Sequence, residues 1–392
     1  MKPYDAIVLG VGGVGSAAAL ELARRGLRVL AIDRFGPAHD RGSSHGETRI
    51  IRQAYFEHPD YVPLAQASYH WWSELEACEG KGQPPLYVQT GLLQIGPVGG
   101  QVLQGVRRSA KLHGLSVENL QEDQIELRWP RCFVVPEGCE GVYERNSGYL
   151  RVEACVQTQI DAAQRLGVKF HFNEPVHDWR ISNGGVQVTT STGAYSARRL
   201  VIAAGAWASE TLGKTKGLAD ADNLFTIALS VRRKPQYWLW PKDDRYTVSR
   251  DVPAVLFELP HGVFYSFPQI GKSVKVAEHS GGADVDDPTT LDRAIDKENL
   301  RRVQNFCQTH LPGVSIELQQ QTVCMYTLTP DEHFIVDLHP QAPHVAFAAG
   351  LSGHGFKFVG ILGRALADLV LEGRTDLPIG FLSSSREGLS PH

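Results

Sequence analysis

The chain has 392 residues, 42% hydrophobic and 21% charged, a length and balance suited to a globular protein with two cores. Its formal net charge of −4 gives no global attraction for nucleic acid or an anionic membrane, so any phosphate it binds is held locally. Six scattered cysteines without a Cys-x-x-Cys pair argue against a disulfide framework and against a zinc or other metal site.

The first predicted element begins at Tyr4, which leaves no room for a signal segment, and no apolar run approaches spanning length. A cytoplasmic protein is therefore expected. The final residues, Leu389-Ser-Pro-His392, do not form a peroxisomal address. Ala6-Ile-Val-Leu9 meets Gly10-x-Gly12-x-x-Gly15, Val14, Ala18 and Leu22 recur at helical spacing, and a second apolar run ends at Asp33. This order reads as strand, tight turn, helix, strand. Glycines let the backbone turn, let a pyrophosphate approach and let helix pack on strand, while the helix amino end offers N–H groups and positive dipole. Asp33 stands where a carboxylate accepts from a ribose 2′-OH, which disfavours NADP. The fingerprint leaves FAD and NAD open.

A long polar loop follows, Phe35 to Arg49, ending at Ile50, Ile51 and Arg52. Such a loop in a nucleotide-binding domain is more often functional than idle. Leu64, Ser68, Trp71 and Leu75 mark a helix, and Leu86–Ile95 reads as strands paired around a turn. Gln101 to about Arg131 is helical and charged, leading to the acidic turn Pro136–Glu140. Val152, Val156, Ile160 and Ala163 form a helix face stopped at Gly167. Short strands follow at Val168–Phe172 and Val186–Thr190, with turns at Asn183-Gly-Gly185 and Ser191-Thr-Gly193.

The buried run Leu200–Ala204 delivers Gly205 and Trp207 to a strand's carboxyl end, where ligands sit in open α/β sheets. About Leu224 to Ala277 is β-rich, Pro288–Leu311 is helical, and strands at Phe334–Asp337 and Val345–Ala349 precede a glycine-rich loop, Gly350–Lys357, and an apolar helix to Leu371. The expectation is an α/β, two-domain chain. A Rossmann-like nucleotide-binding domain is assembled from residues 1–85, 146–218 and 320–392. A β-rich substrate domain takes 86–145 and 219–319, and the reaction centre lies between them.

Ser43-x-His45-Gly46-x-Thr48-Arg49-x-x-Arg52, Cys324-Met-Tyr326, Pro330-Asp-Glu332-x-Phe-Ile335 and Gly353-His-Gly-Phe-Lys357 are far more restrictive. With them in order, nearly the whole chain resembles the monomeric sarcosine oxidase family, which includes N-methyltryptophan oxidase and, as a relative, pipecolate oxidase. The resemblance implies a glutathione-reductase-like, D-amino-acid-oxidase-like fold, FAD as cofactor, and oxidation of a secondary amino acid by O2 in a monomer with neither nucleic-acid nor membrane partners.

Residue by residue, the resemblance assigns Cys324 to a bond through sulfur to the flavin 8α-methyl carbon. Gly10, Gly12, Gly15, Asp33, Ser43, His45, Thr48, Gly205, Trp207, Gly350, Gly353, Gly355, Phe356 and Lys357 fall around the cofactor. Arg52 and Lys357 match the groups that hold the substrate carboxylate, as an arginine fork suits. Lys275 matches the lysine that activates oxygen, and Arg49 lines the same flavin face. Tyr265, His279, Tyr326 and His354 match residues around the substrate.

The helix beginning near Phe356 would aim its positive end at the flavin pyrimidine edge. The amine must lose a proton before its α-hydrogen leaves as hydride, and a cationic pocket that lowers the amine pKa serves as well as a dedicated base. One departure is Ser44, where the bacterial enzymes often carry a second histidine before His45.

The substrates implied are sarcosine first, then N-methyltryptophan, then cyclic imino acids such as pipecolate or proline. Two rivals remain, a flavin dehydrogenase passing electrons to a quinone or protein, and a non-catalytic flavin-binding regulator. Lys275 argues against the first. The second would have eroded sites, yet Arg52, Lys275, Cys324 and Lys357 are all present.

Overall fold

The structure, a computed structural model, describes residues 3–79, 83–182, 184–213, 215–216, 225 and 227–389. Asn183 of the expected turn, Leu224 at the start of the β-rich stretch and Ser390-Pro-His392 lie outside them.

Strand β1 (Tyr4–Leu9), helix α1 (Gly13–Arg24) and strand β2 (Val29–Ile32) form the expected unit, with β1 and β2 parallel. The parallel core continues on one side through Lys169–His171 and on the other through Ala194–Ile202 and Ala342–Ala349. The strand Ala194–Ile202 divides its pairing. Ala194–Ala197 joins an antiparallel meander with Gly185–Thr190 and Val176–Ser182, while Leu200–Ile202 runs parallel to Val345–Phe347. Apolar side chains lie on both faces of this sheet, as a covered parallel sheet requires. One face packs against α1 and the helices Val152–Arg165 and Val359–Glu372. The other packs against Trp179, Val186 and Val188 of the meander.

A second sheet of eight strands runs in the order Val314–Leu328, Ser230–Pro241, Val274–Glu278, Gly262–Ser266, Ala254–Leu259, Leu92–Pro97, Cys139–Glu144 and Glu118–Leu120. Period-two alternation gives it two different faces. Val274, Val276, Phe264, Phe257 and Ile95 pack with Val303 and Phe306 of the helix Lys297–His310. Tyr265, Phe267 and Ala277 look the other way, toward Tyr149 and Ile50. Those two come from a three-stranded sheet of β3 (Thr48–Ile51), Gly148–Arg151 and Tyr87–Gln89. In β3, Ile51 joins the core of the first sheet and Ile50 that of the second, so β3 bridges them.

The α/β architecture of two sheet-built units agrees with the sequence expectation, and five details differ. The stretch from Gln101 to about Arg131 is not helical throughout, since the strand Glu118–Leu120 of the eight-stranded sheet separates the helices Gln101–His113 and Glu122–Arg128. Leu86–Ile95 is not a hairpin: Tyr87–Gln89 pairs with Gly148–Arg151, whereas Leu92–Pro97 pairs with Ala254–Leu259 and Cys139–Glu144. The turn at Gly91 passes the chain between sheets. The helix expected over Pro288–Leu311 spans only Lys297–His310, because Asp296 caps it by accepting from Asn299 N–H at 2.9 Å. The expected division at residue 320 falls inside Val314–Leu328, which belongs whole to the eight-stranded sheet. The loop Phe35–Arg49 already enters β3 at Thr48. Among the described residues no helix is long and apolar enough to cross a membrane.

Candidate active site

At the carboxyl ends of β1 and β2 the parallel sheet opens a cleft of about 1410 Å³, its mouth included. Gly10, Gly12, Asp33, Ser43, Gly205, Trp207, Gly350, Gly353, Gly355 and Phe356 line it. Gly15 does not. A Cβ there would stand 1.8 Å from Gly10 O, so its place is the contact of helix with turn.

Gly12 caps α1 without a side chain, so the positive helix end faces the cleft through backbone N–H groups. Gly13 N–H donates to Ser44 Oγ at 3.1 Å. Asp33, at the end of β2, accepts from Val11 N–H at 2.6 Å and Phe35 N–H at 2.8 Å, which ties the glycine turn to the neighbouring strand. Over the far end lies Trp207, whose Nε1 donates to Thr289 Oγ1 at 3.1 Å and whose ring has the Arg34 guanidinium 5.4 Å from its centroid. A neutral surface for adenine, a carboxylate for ribose and a helix end for pyrophosphate fit FAD.

Beyond the helix end, the chain Ser43–Arg49 crosses the strand Val314–Leu328. Ser43 Oγ donates to Met325 O at 2.8 Å. Cys324 is fully buried, and Arg49 Nη2 donates to its sulfur at 3.2 Å and to Ser43 O at 3.1 Å. Burial alone would depress the guanidinium pKa, but Cys324, Tyr265 and Tyr326 outweigh it and hold it above the ordinary value. His45 is buried, and its Nε2 has no hydrogen-bond partner among the described residues. Burial, then Arg49, lowers its pKa to about 3, which keeps the ring neutral.

Lys275 lines neither this cleft nor the cavity described next. It is 1% exposed, and its Nζ donates to Gly46 O, to Thr48 O at 3.0 Å and to Thr48 Oγ1 at 3.4 Å. Arg49 Nη1 donates to the same Thr48 carbonyl at 2.8 Å. Burial, then Arg49, pushes the lysine pKa well below its usual value. An anion arriving nearby would restore its charge.

A second cavity of about 560 Å³, mouth included, adjoins the cleft. Arg49, Tyr326, Gly353 and Phe356 line both. Gly353 has φ +78°, and a Cβ there would lie 2.5 Å from the Tyr326 ring, so the loop seats against that ring only as glycine. Arg52, Tyr265, His279, His354 and Lys357 line this second cavity.

Tyr326 Oη lies 3.1 Å from His279 Nδ1. Lys357 Nζ donates to His354 O at 2.7 Å and Tyr55 Oη at 3.2 Å, and Tyr55 Oη lies 2.7 Å from His354 Nδ1. Burial, then Arg52, lowers Lys357 to about 7, and burial lowers His354 to about 4. Burial raises Tyr265 to about 12 despite Arg49. The cavity therefore carries two arginines, a lysine poised near neutrality and uncharged aromatic hydroxyls.

Sequence reasoning missed Glu57. Both its oxygens accept from Arg52 Nη2, at 2.6 Å each, while Arg52 Nη1 donates to Ala54 O at 3.1 Å. Burial opposes ionisation of Glu57, but Arg52, His354 and Lys357 outweigh it and hold its pKa at about 2. A carboxylate five residues past Arg52 was the available signal. Phe56, Leu256 and Phe267 add apolar wall; nothing in their local sequence marks them. Among the described residues no group of three or more His, Cys, Asp and Glu side chains is placed to hold a metal ion.

The family model for FAD dependent oxidoreductases matches residues 5–369. A monomeric sarcosine oxidase of Arthrobacter sp. is 37% identical, over 99% of this chain and 97% of its own. One from Streptomyces avermitilis is 38% identical over the whole of both. An N-methyl-L-tryptophan oxidase of Yersinia pestis is 37% identical over 98% of this chain and 99% of its own. Among solved structures, the open form of NikD, an amino acid oxidase of nikkomycin biosynthesis, superposes with TM-score 0.83 at 24% identity over the whole of both chains. Glycine oxidase from Geobacillus kaustophilus gives 0.81 at 20%, also over the whole of both. Fold, cleft and full-length identity agree, and the chain belongs to the FAD-dependent oxidoreductase family, among the monomeric sarcosine oxidases and N-methyl-L-tryptophan oxidases.

Proposed function

We propose that this protein is an oxidase of a secondary, N-methyl α-amino acid, sarcosine before N-methyltryptophan or a cyclic imino acid. The amino acid and O2 give an imine and hydrogen peroxide, and hydrolysis of an N-methyl-derived imine releases formaldehyde and the primary amino acid. The observation that carries this reading is the meeting of the two cavities at Arg49, Tyr326, Gly353 and Phe356. One cavity fits FAD, and the other carries cations for a carboxylate within reach of it.

Bound FAD supplies the acceptor for a hydride from the substrate carbon and passes the electrons to O2. The protein's residues do the rest. We assign Cys324 a covalent bond through sulfur to the flavin 8α carbon, supported by its contact with Arg49. Arg52 and Lys357 hold the substrate carboxylate, with Glu57 keeping the arginine fork ionised and aimed. His279, neutral because burial lowers its pKa to about 3, and the hydroxyls of Tyr265 and Tyr326 surround the amine. Arg49, Arg52 and Lys357 disfavour a charged ammonium, so the amine enters the reaction neutral. Lys275 supplies positive charge where O2 is reduced. Its likeness to the monomeric sarcosine oxidases of Arthrobacter and Streptomyces supports a monomer, and we place it in the cytoplasm.

Arg52→Ala tests the carboxylate site. A charge-assisted pair contributes about 1.5–3 kcal/mol, so the apparent Kd for sarcosine should rise roughly ten- to hundred-fold. Unchanged affinity would remove Arg52 from the site.

A further inference from the structure

Lys234 stands in the strand Ser230–Pro241, directly opposite Cys324, and is 3% exposed. A buried ammonium is costly unless its hydrogens are matched. Its Nζ donates to three consecutive carbonyls, His279 at 2.9 Å, Ser280 at 2.7 Å and Gly281 at 3.2 Å. The same Nζ lies 5.1 Å from the centroid of the Tyr326 ring. Lys234 lines neither cavity, whereas His279 and Tyr326 both line the second.

We propose that Lys234 is a positioning residue of the substrate cavity: by drawing the 279–281 turn against the Tyr326 ring, it fixes the His279–Tyr326 pair that forms one wall. This rests on the reading of that cavity as the substrate site.

The turn has a separate anchor on its outer side. Arg302 donates to Glu278 at 2.6 Å and 3.0 Å, and Asn299 at 2.9 Å, while Ser280 Oγ accepts from Val263 N–H at 2.9 Å. These bonds secure the strand end. They do not draw the turn toward Tyr326, and Lys234 does. Only a side chain with three donors on one atom matches three convergent carbonyls, since glutamine offers two and methionine none.

Burial lowers the Lys234 pKa to about 8, with Glu278 and Cys324 opposing the fall, so the ammonium still prevails at neutral pH. Burial, then Lys234, lowers His279. Glu57 raises it, and His354 and Arg52 add to the lowering. The histidine facing Tyr326 is therefore a neutral ring, able to share one proton with the phenol.

The test is a double-mutant cycle on the FAD-loaded protein, with Lys234→Met made alone and on His279→Ala. The limiting rate of anaerobic reduction, the apparent Kd for sarcosine and the rate of reoxidation by O2 are each measured. Lys234→Met alone should lower reduction rate over Kd by roughly ten-fold, with reoxidation unchanged. On His279→Ala the same change should cost less than about two-fold, because residues that act through one another are not additive. Lys234→Gln should show a smaller loss with the same non-additivity, and it carries the cycle if the methionine variant does not fold. Equal losses in both backgrounds, or no loss in the wild type, overturn the inference. No effect of His279→Ala alone removes that wall from the substrate site, and the inference falls with it; a cost of His279→Ala with additive Lys234 losses overturns the inference alone.

Discussion

Cys324 takes its chemistry from its neighbour. A fully buried cysteine is by default a small hydrophobe, but here Arg49 donates to its sulfur at 3.2 Å. The proposed bond makes Cys324→Ser separable: flavin that survives acid precipitation with the wild-type protein should appear in the supernatant of the variant. Flavin retained by both would refute the attachment site. Lys357 gives a pH signature. Its free-state pKa is lowered to about 7, and a carboxylate ligand favours the protonated form, so binding is full below that pH and weakens as pH rises through it. The inhibition constant of an amine-free carboxylate should therefore climb above about pH 7. Glu57→Gln removes an anion that raises the lysine pKa, so the climb should start at lower pH; a profile unmoved by that change, or flat in the wild type, contradicts the assignment.

The motifs named Cys324, Arg49, Arg52 and Lys357 because each lies inside a distinctive string. Glu57 and Lys234 were not legible, since Glu57 lies outside every distinctive string and Lys234 ends a basic run, Arg232-Arg233-Lys234, that reads as an ordinary charged surface. The partners of Lys234 lie 45 to 47 residues away, and only folding brings them together.

At the scale of elements, the strand Val274–Glu278 shows how an alternating pattern misleads. A lysine in such a strand is ordinarily on the wet side, yet all five residues are buried, because one face meets the Lys297–His310 helix and the other meets Gly46 and Thr48. Lys275→Met keeps the length and removes the charge. Anaerobic reduction by substrate should persist while reoxidation slows by a large factor, measured separately by stopped flow. Equal slowing of both half-reactions would show that the lysine shapes the site instead of serving O2. Pairing partners were the least legible feature of the sheets. Tyr87–Gln89 and Leu92–Pro97 look like one hairpin because short apolar runs either side of a glycine carry no record of which sheet each joins. The strand Val314–Leu328 escaped for a different reason: its middle, Glu317 to Gln321, is polar and exposed or half-buried.

At the scale of the molecule, the β1–α1–β2 unit was legible from thirty residues because glycine placement, helical period and terminal acid all point one way. Most of the other strands of the first sheet were legible as strands, but their pairing was not, because they come from two further, separated parts of the chain. Its meander shares the strand Ala194–Ile202 with the parallel core. The site sits where that sheet, the eight-stranded sheet and the bridging β3 converge. Arg49 in β3 touches Cys324 from one sheet, and Lys275 from the same sheet reaches the β3 carbonyl at Thr48. In the proposed reaction, electrons would enter from the second cavity and leave to O2 through one cofactor held among all three.

The most direct measurement is anaerobic mixing of the yellow protein with sarcosine, followed by admission of air. The flavin colour should bleach without oxygen and return with it, releasing one hydrogen peroxide per substrate oxidised. If neither sarcosine, N-methyltryptophan nor a cyclic imino acid bleaches the flavin, or if the reduced protein stays bleached in air, the proposed oxidase activity is wrong.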